Sequence, residues 1–285
     1  TPLVMMIGGA TDSPIGWMTV MGTISFITII YSITASFFFK EKYYIKDEVK
    51  KSLTPKQMVN VIFKNKTLLI GLALTLGVTI GTGIRTGVML YYFQYYFNQP
   101  ELMSVAGLIG LIATVAGAVF SGKITRMFGL KNILVWSVVL SIIVGALPFF
   151  SPPTQAGIIF FLVTSAIGNF CLGLFMPVHG SMFAAAMDYA EWKYNVSANG
   201  FLGSFVGFVQ TLATAVSGAI LAGALAYFGY KPGPVQAEAT ITGLRMLISF
   251  IPAILQLFML AVLWFDLTED KQKHITKELK ERRDK

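Results

Sequence analysis

Residues 132–187 read NILVWSVVLSIIVGALPFFSPPTQAGIIFFLVTSAIGNFCLGLFMPVHGSMFAAAM, without one Asp, Glu, Lys or Arg. Roughly 20 consecutive apolar residues cross a bilayer as a helix. This run holds two such lengths, parted at Ser151-Pro152-Pro153-Thr154. Three more stretches, 13–39, 194–230 and 246–265, are equally free of charge. Of the 285 residues, 55% are hydrophobic and 13% charged, about half the charged share of an ordinary soluble domain. A soluble globular enzyme, a disordered chain and a nucleic-acid-binding module are thereby excluded. The chain reads as an all-α polytopic membrane protein, with the lipid bilayer as its first partner.

The net charge of +8, from 22 Lys and Arg against 14 Asp and Glu, is concentrated in a few loops. It therefore reads as membrane orientation rather than as a polyanion site. A single Cys171 within an apolar run excludes a disulfide framework and a thiolate metal cluster. Chain numbering starts at Thr1, and Pro2-Leu3-Val4-Met5-Met6-Ile7-Gly8-Gly9 has the character of a helix end. The chain is expected to be the C-terminal part of a longer protein.

Apolar runs set against charged punctuation give seven spans, about 16–39, 67–96, 103–121, 133–150, 157–187, 200–229 and 243–265. The segment 40–66 carries eight Lys against Glu41, Asp47 and Glu48, which the positive-inside rule places in the cytoplasm. Alternate loops agree. Those at 97–102 and 151–156 lack Lys and Arg, whereas 122–132 carries Lys123, Arg126 and Lys131. The C-terminal tail then falls on the cytoplasmic side. Within the basic segment, Thr54 and Gln57 have capping-box spacing with Pro55 at the first helical position. Met58, Val59, Ile62 and Phe63 cluster on one face, predicting a short helix at the membrane surface. Gly83/Gly87, Gly203/Gly207 and Gly218/Ala222 have the four-residue spacing of close helix contacts, whether moving or static.

Three segments resemble one family. Asp188-Tyr189-Ala190-Glu191-Trp192-Lys193 is similar to the Asp-Tyr-Gly/Ser-Glu-Trp/Tyr-Lys signature of the glycoside–pentoside–hexuronide:cation symporters, the melibiose permease group of the major facilitator superfamily. Arg85-Thr86-Gly87 followed by Tyr91-Tyr92-Phe93-Gln94-Tyr95 resembles the group's seventh helix. Phe265-Asp266-Leu267-Thr268-Glu269 resembles the end of its last helix. The resemblance implies a major facilitator fold: residues 1–39 ending the N-terminal bundle, a cytoplasmic linker over 40–66, the C-terminal six-helix bundle over 67–265, and a tail over 266–285. It further implies a secondary transporter, not an enzyme, importing a glycoside or related sugar with H+ or Na+. No cofactor is expected. The coupling ion is expected to bind in the N-terminal bundle, and the full-length protein to work as a monomer in the plasma membrane. Departures at Ala185, Met176, Ser197, Asn199 and Thr211 leave cation choice and sugar contacts open. A lipid or other amphiphile carrier of the same fold, or a non-transporting membrane sensor, stands as the alternative.

Several residues are candidates for function. Arg85, inside an apolar run, either lines the sugar path, donating to hydroxyls or to a hexuronate carboxylate, or snorkels to the interface. Tyr92 and its neighbours Tyr91, Tyr95 and Tyr96 either stack on a sugar ring or form an interfacial aromatic belt. His179 follows Pro177, which should loosen the helix and free a carbonyl. Its imidazole either serves substrate or proton, or is a buried histidine bonded to a neighbouring helix. Met176, Gln210 and Thr211 occupy positions the resemblance associates with substrate. Asn169 and Ser181 are expected as polar contacts between helices. Asp188, Glu191 and Lys193 opposite Lys123 and Arg126 suggest an inner gate of breakable ion pairs, against routine interfacial charge. No metal-ligand spacing and no nucleophile–base pair is present.

Overall fold

The computed structural model describes residues 14–38, 55–194, 199–233, 235–264 and 269–283. The expected cap at Thr54, the rest of segment 40–54, Val196-Ser197-Ala198 and Phe265-Asp266-Leu267-Thr268 lie outside these residues. Every regular element among the described residues is helical. Seven helices are long and apolar enough to cross a membrane. The chain is a multi-pass membrane protein, and it divides into two compact units, Thr1–Lys50 and Lys51–Lys285.

The described part of the first unit is α1 (Pro14–Phe38). Thr19, Thr23, Thr28 and Thr34 each donate a hydroxyl hydrogen bond to the carbonyl four residues earlier. Their polar atoms are thus satisfied within the helix, as lipid requires.

The second unit is built around α3 (Lys66–Tyr95), preceded by the short α2 (Pro55–Lys64). Then come α4 (Leu102–Phe128), α5 (Leu130–Ala146) with a 3-10 turn at Leu147–Phe150, the long α6 (Gln155–Tyr194) and α7 (Asn199–Tyr227). The last span is interrupted. It consists of α8 (Glu238–Ile248), α9 (Phe250–Leu255) and a 3-10 stretch Gln256–Trp264, with Ser249 at φ −126°, ψ −83° between the first two. A final helix, α10, covers Glu269–Arg283. Five of the seven spans agree with the sequence-based boundaries to within five residues, whereas α4 and α6 each run seven residues further, to Phe128 and Tyr194. The expected loop at 122–132 does not form. Helix α4 continues to Phe128, and Gly129 alone, at φ +81°, makes the turn into α5. Only a residue without Cβ takes that conformation cheaply.

Three apolar clusters are strung along α3, around Leu68 and Leu72, around Leu74 and Val78, and around Ile84, Val88 and Phe93. The first cluster also takes Val61 and Ile62 of α2. Phe63, expected on the apolar face, is exposed instead. The register is fixed by Asn65, which is fully buried. Its side chain caps α3 by accepting from the Leu68 N–H and donates to the Ala186 carbonyl at 2.8 Å.

Helix α4 inverts the pattern of a soluble helix. Its buried positions are Ala106, Gly110, Gly117 and Ser121, while Leu108, Leu111, Ile112 and Val119 are exposed. Lipid is as apolar as leucine, so close backbone packing rather than exclusion from solvent selects what faces inward. At the crossing with α6, a Cβ on Gly117 would run into the Phe170 carbonyl, and one on Gly173 into the Thr114 carbonyl. Of the glycines singled out by spacing, Gly83 and Gly87 admit Ser217 and Leu221 of α7, whereas Gly203, Gly207 and Gly218 have nothing within 4 Å. Pro177 does not interrupt α6, which runs through it as regular helix.

Candidate functional site

Helix α3 places Arg85 well inside its apolar length. The guanidinium reaches two other spans: Nε donates to the Ile248 carbonyl at 3.1 Å, and Nη2 to the Gly145 carbonyl at 2.6 Å. Both acceptors are carbonyls that proline has left without a partner. In an α-helix Ile248 would accept from residue 252, which is Pro252. In the 3-10 turn that ends α5, Gly145 would accept from residue 148, which is Pro148. The arginine supplies the two missing donors.

Toward the C-terminal end of α3, side chains also bond the carbonyls of the turn after α5, of which that of Pro148 accepts in addition from the Ser151 N–H at 3.2 Å. Tyr92 donates its hydroxyl to the Pro148 carbonyl at 3.3 Å and Tyr96 to that of Ser151. From α8, Arg245 donates through Nη2 to the Phe149 carbonyl and lies over the rings of Phe149 and Tyr96, 4.6 and 5.3 Å from their centroids. The carbonyls at the end of a helix need donors, and in lipid water does not supply them. Arg85 and Tyr92 of α3, Tyr96 just beyond its end, and Arg245 of α8 do so here.

Arg85 also lines a cavity of about 160 Å³ among α3, α5, α6 and the last span. Besides Arg85, its polar wall comprises Thr82, Thr86, Ser137, Ser141, Asn169 and Gln256, and no carboxylate among the described residues lines it. Thr82 and Ser141 donate to carbonyls of their own helices. Asn169 donates to the Ser165 carbonyl, with Thr114 of α4 3.5 Å from its Oδ1. The floor exists because α3 presents glycines. A Cβ on Gly81 would stand 2.6 Å from Gln256 Nε2, and one on Gly77 2.5 Å from Met259 Cγ. Sequence reading missed Ser137 and Gln256. The available signal was Gln256 as the lone amide in the charge-free run 246–265.

The structure brings only Arg85, of the six substrate candidates, to this cavity. Tyr92 is fully buried, stacked on Tyr96 at 5.0 Å and bonded to Pro148, so it is a core and capping residue rather than a sugar platform. His179 is buried between the rings of Phe175 and Phe183, its Nε2 3.1 Å from the Gly71 carbonyl. This is the helix-bonded histidine of the plainer reading. Met176 is exposed on α6, outside the cavity wall. Gln210 and Thr211 are exposed on α7, with the Thr211 hydroxyl donating to Gly207 of its own helix. Ser181, expected between helices, bonds the Val178 carbonyl of its own.

A family model described as MFS/sugar transport protein matches residues 1–268. The chain belongs to this MFS/sugar transport family. It is 25% identical over 272 residues to the uncharacterized symporter YjmB of Bacillus subtilis (strain 168), covering 94% of the chain and 58% of that protein. It is also 25% identical over 280 residues to a protein of Escherichia coli (strain K12) that carries the provisional name glycoside/cation symporter YagG, covering 98% and 60%. The inner membrane symporter YicJ of the same organism is 26% identical over 284 residues, covering 98% and 60%. The chain thus spans about 60% of the length of these relatives.

In this member of the MFS/sugar transport family, the segment Asp188-Tyr189-Ala190-Glu191-Trp192-Lys193 forms the last turns of α6 and is in contact with α10. Ile275 and Leu279 of α10 are buried in a cluster that takes in Ile124, Leu130, Tyr189 and Trp192. Trp192 donates Nε1–H to Glu278, and Arg282 Nη1 donates to the Trp192 carbonyl at 3.3 Å. Glu278 is in turn paired within α10 with His274 and Arg282. Lys193 Nζ donates to the Tyr189 hydroxyl at 3.0 Å. Lys123 and Arg126 are exposed on α4 itself rather than on a loop.

Proposed function

We propose that the protein carrying this chain is a secondary active transporter that imports a glycoside or related sugar together with H+ or Na+, by rocking two helical bundles about a shared site. The observation that carries the reading is the cavity at Arg85. A guanidinium, hydroxyls and amides face one small volume between membrane-spanning helices, which is the donor-rich lining a polyol needs. The glycoside and symporter names of relatives support the same cargo class and coupling. A relative provisionally named a sulfoquinovose importer, 24% identical over 190 residues, adds an acidic sugar to the range.

In this reading Arg85 orients the sugar, while Met176, Gln210 and Thr211 meet it from the exposed faces of α6 and α7. Lys123, Arg126, Asp188, Glu191 and Lys193 form an inner gate on the cytoplasmic side of the plasma membrane, where α10 also lies. The full-length protein acts as a monomer. The test is uptake of radiolabelled glycosides into proteoliposomes containing the full-length protein under an imposed inward proton or sodium gradient. Accumulation against the sugar gradient, abolished by the matching ionophore, is expected. Uptake that only equilibrates under both gradients would overturn the coupling.

A further inference from the structure

The 3-10 stretch Gln256–Trp264 runs for nine residues. Helices of this kind seldom exceed three or four, because their hydrogen bonds are poorly aligned. Its packing against α3 shows what holds it. The buried residues are Gln256, Met259 and Val262, three apart, the spacing that sets side chains in one line on a 3-10 helix. Gln256 and Met259 fit against two glycines of α3. A Cβ on Gly81 would meet Gln256 Nε2 at 2.6 Å, and one on Gly77 would meet Met259 Cγ at 2.5 Å. Val262 follows, in one cluster with Leu74 and Ile70. Three residues of a 3-10 helix and four of an α-helix both rise about 6 Å. The two chains, running in opposite directions, therefore stay in step.

The same arithmetic admits a second register. As an α-helix, the segment would again place a residue about 6 Å beyond Gln256, but that residue would be Leu260 in place of Met259. Leu263, 51% exposed, would turn toward Leu74, and Val262, fully buried, would turn away. Residues 257–264 are all apolar, and lipid accepts any of them on the outer face. Better hydrogen bonds favour the α form, and the fit of Met259 at Gly77 favours the 3-10 form. Two packings of one sequence in such balance make a bistable element.

Both ends of this element touch something that would feel the change. Gln256 and Met259 line the cavity. Met259 and Val262 belong to the cluster that seats Ile275 and Leu279 of α10. Over the steps from Gln256 to Trp264 the α form is shorter by about 4 Å and turned by about 160°. A change of register therefore alters the cavity wall and the seat of α10 together.

We propose that Gln256–Trp264 is a two-register switch. It alternates between the 3-10 form, with Met259 at Gly77, and an α form, with Leu260 at Gly77, and so couples the cavity wall to the docking of α10. The switch is independent of the transport reading, because its contacts lie inside the bundle and its test needs no substrate.

The test is disulfide trapping in the purified full-length protein, with every native cysteine, Cys171 included, replaced. Gly77→Cys is combined in turn with Met259→Cys, Leu260→Cys and Ala261→Cys. A Cβ at Gly77 would stand 3.5 Å from the Met259 backbone nitrogen, close enough for the Cβ separation a disulfide needs. The pairs with Met259 and Leu260 are both expected to cross-link under mild oxidation, the first faster, and the pair with Ala261, which faces Gly77 in neither form, is not. Once trapped, the Leu260 pair should lose α10 to limited proteolysis severalfold faster than the Met259 pair, with reductant removing the difference. A single cross-linking position, equal cross-linking at all three, or none in a folded protein would overturn the proposal, and so would equal proteolysis of the two trapped forms. Should Gly77→Cys prevent folding, a nitroxide at Leu263→Cys with the glycines intact takes its place. Two spectral components, one mobile and one immobilised, are then expected, and a single component would overturn the switch.

Discussion

Arg85 Nε donates to the carbonyl of Ile248, the carbonyl that Pro252, four residues on, has no N–H to bond. A residue that reads as a ligand-binding charge is at the same time the clasp that closes a helix break. The two roles are compatible because a guanidinium has donors on three nitrogens in one plane, and an ammonium does not.

Arg85→Lys should therefore lower thermal stability. An ammonium at this position reaches at most one of the Ile248 and Gly145 carbonyls. Losing one charge-assisted bond costs about 1.5–3 kcal/mol. Differential scanning fluorimetry on purified protein should show a clearly lowered midpoint for Lys and a lower one for Ala. A wild-type midpoint in both would mean that the carbonyls are satisfied some other way.

Pro252→Ala tests the cause of the break. Alanine restores the N–H that can bond Ile248, so the variant should depend less on Arg85. In a double-mutant cycle, Arg85→Lys should cost less in the Pro252→Ala background than in the parent, with a coupling of about 0.5–3 kcal/mol. Additive effects would show that Arg85 and Pro252 act independently.

Gly117 and Gly173 set the distance between α4 and α6. Alanine at either places a methyl against a carbonyl of the facing helix, and overpacking of this kind costs about 1–3 kcal/mol or more. Gly107→Ala on the same α4 meets nothing within 4 Å and should be neutral or stabilising by about 0.5–1 kcal/mol, since alanine favours helix. Folded yield after detergent extraction separates the two. Equal yields for Gly117→Ala and Gly107→Ala would disprove the close crossing.

Trp192→Phe removes the N–H that holds Glu278 while keeping an aromatic ring beside Ile275 and Leu279. Helix α10 should then come away more often, and limited proteolysis within Glu269–Arg283 should accelerate severalfold, tracking the population of the opened form. Unchanged cleavage would show that the apolar contacts alone retain the helix.

Orientation is open to labelling. In a Cys171→Ala background, a cysteine at Lys123 should react only from the cytoplasmic side and one at Thr154 only from outside. Both positions are exposed, unlike Ser121, which is buried. External labelling at position 123 would reverse the assigned topology.

The apolar runs by themselves located the spans, because a helix that crosses lipid needs about 20 apolar residues whatever it packs against. The same holds for the short helix at Pro55 and the family motifs, which are local in sequence. Which side of each helix faces inward was not legible. In lipid both faces are apolar, so periodicity carries little of the signal it gives in a soluble helix. Gly117 and Gly173 proved to be contacts, while Gly203 and Gly207 were left open. Only the tertiary structure could show that Tyr92 caps Pro148 and that His179 bonds Gly71, since each partner is a carbonyl distant in the chain. It was likewise the packing of the last span against α3 that brought Gln256 beside Gly81, into the wall of the cavity that Arg85 lines. Two prolines broke helices in sequence, and only the assembled bundle decided which side chain would close the breaks.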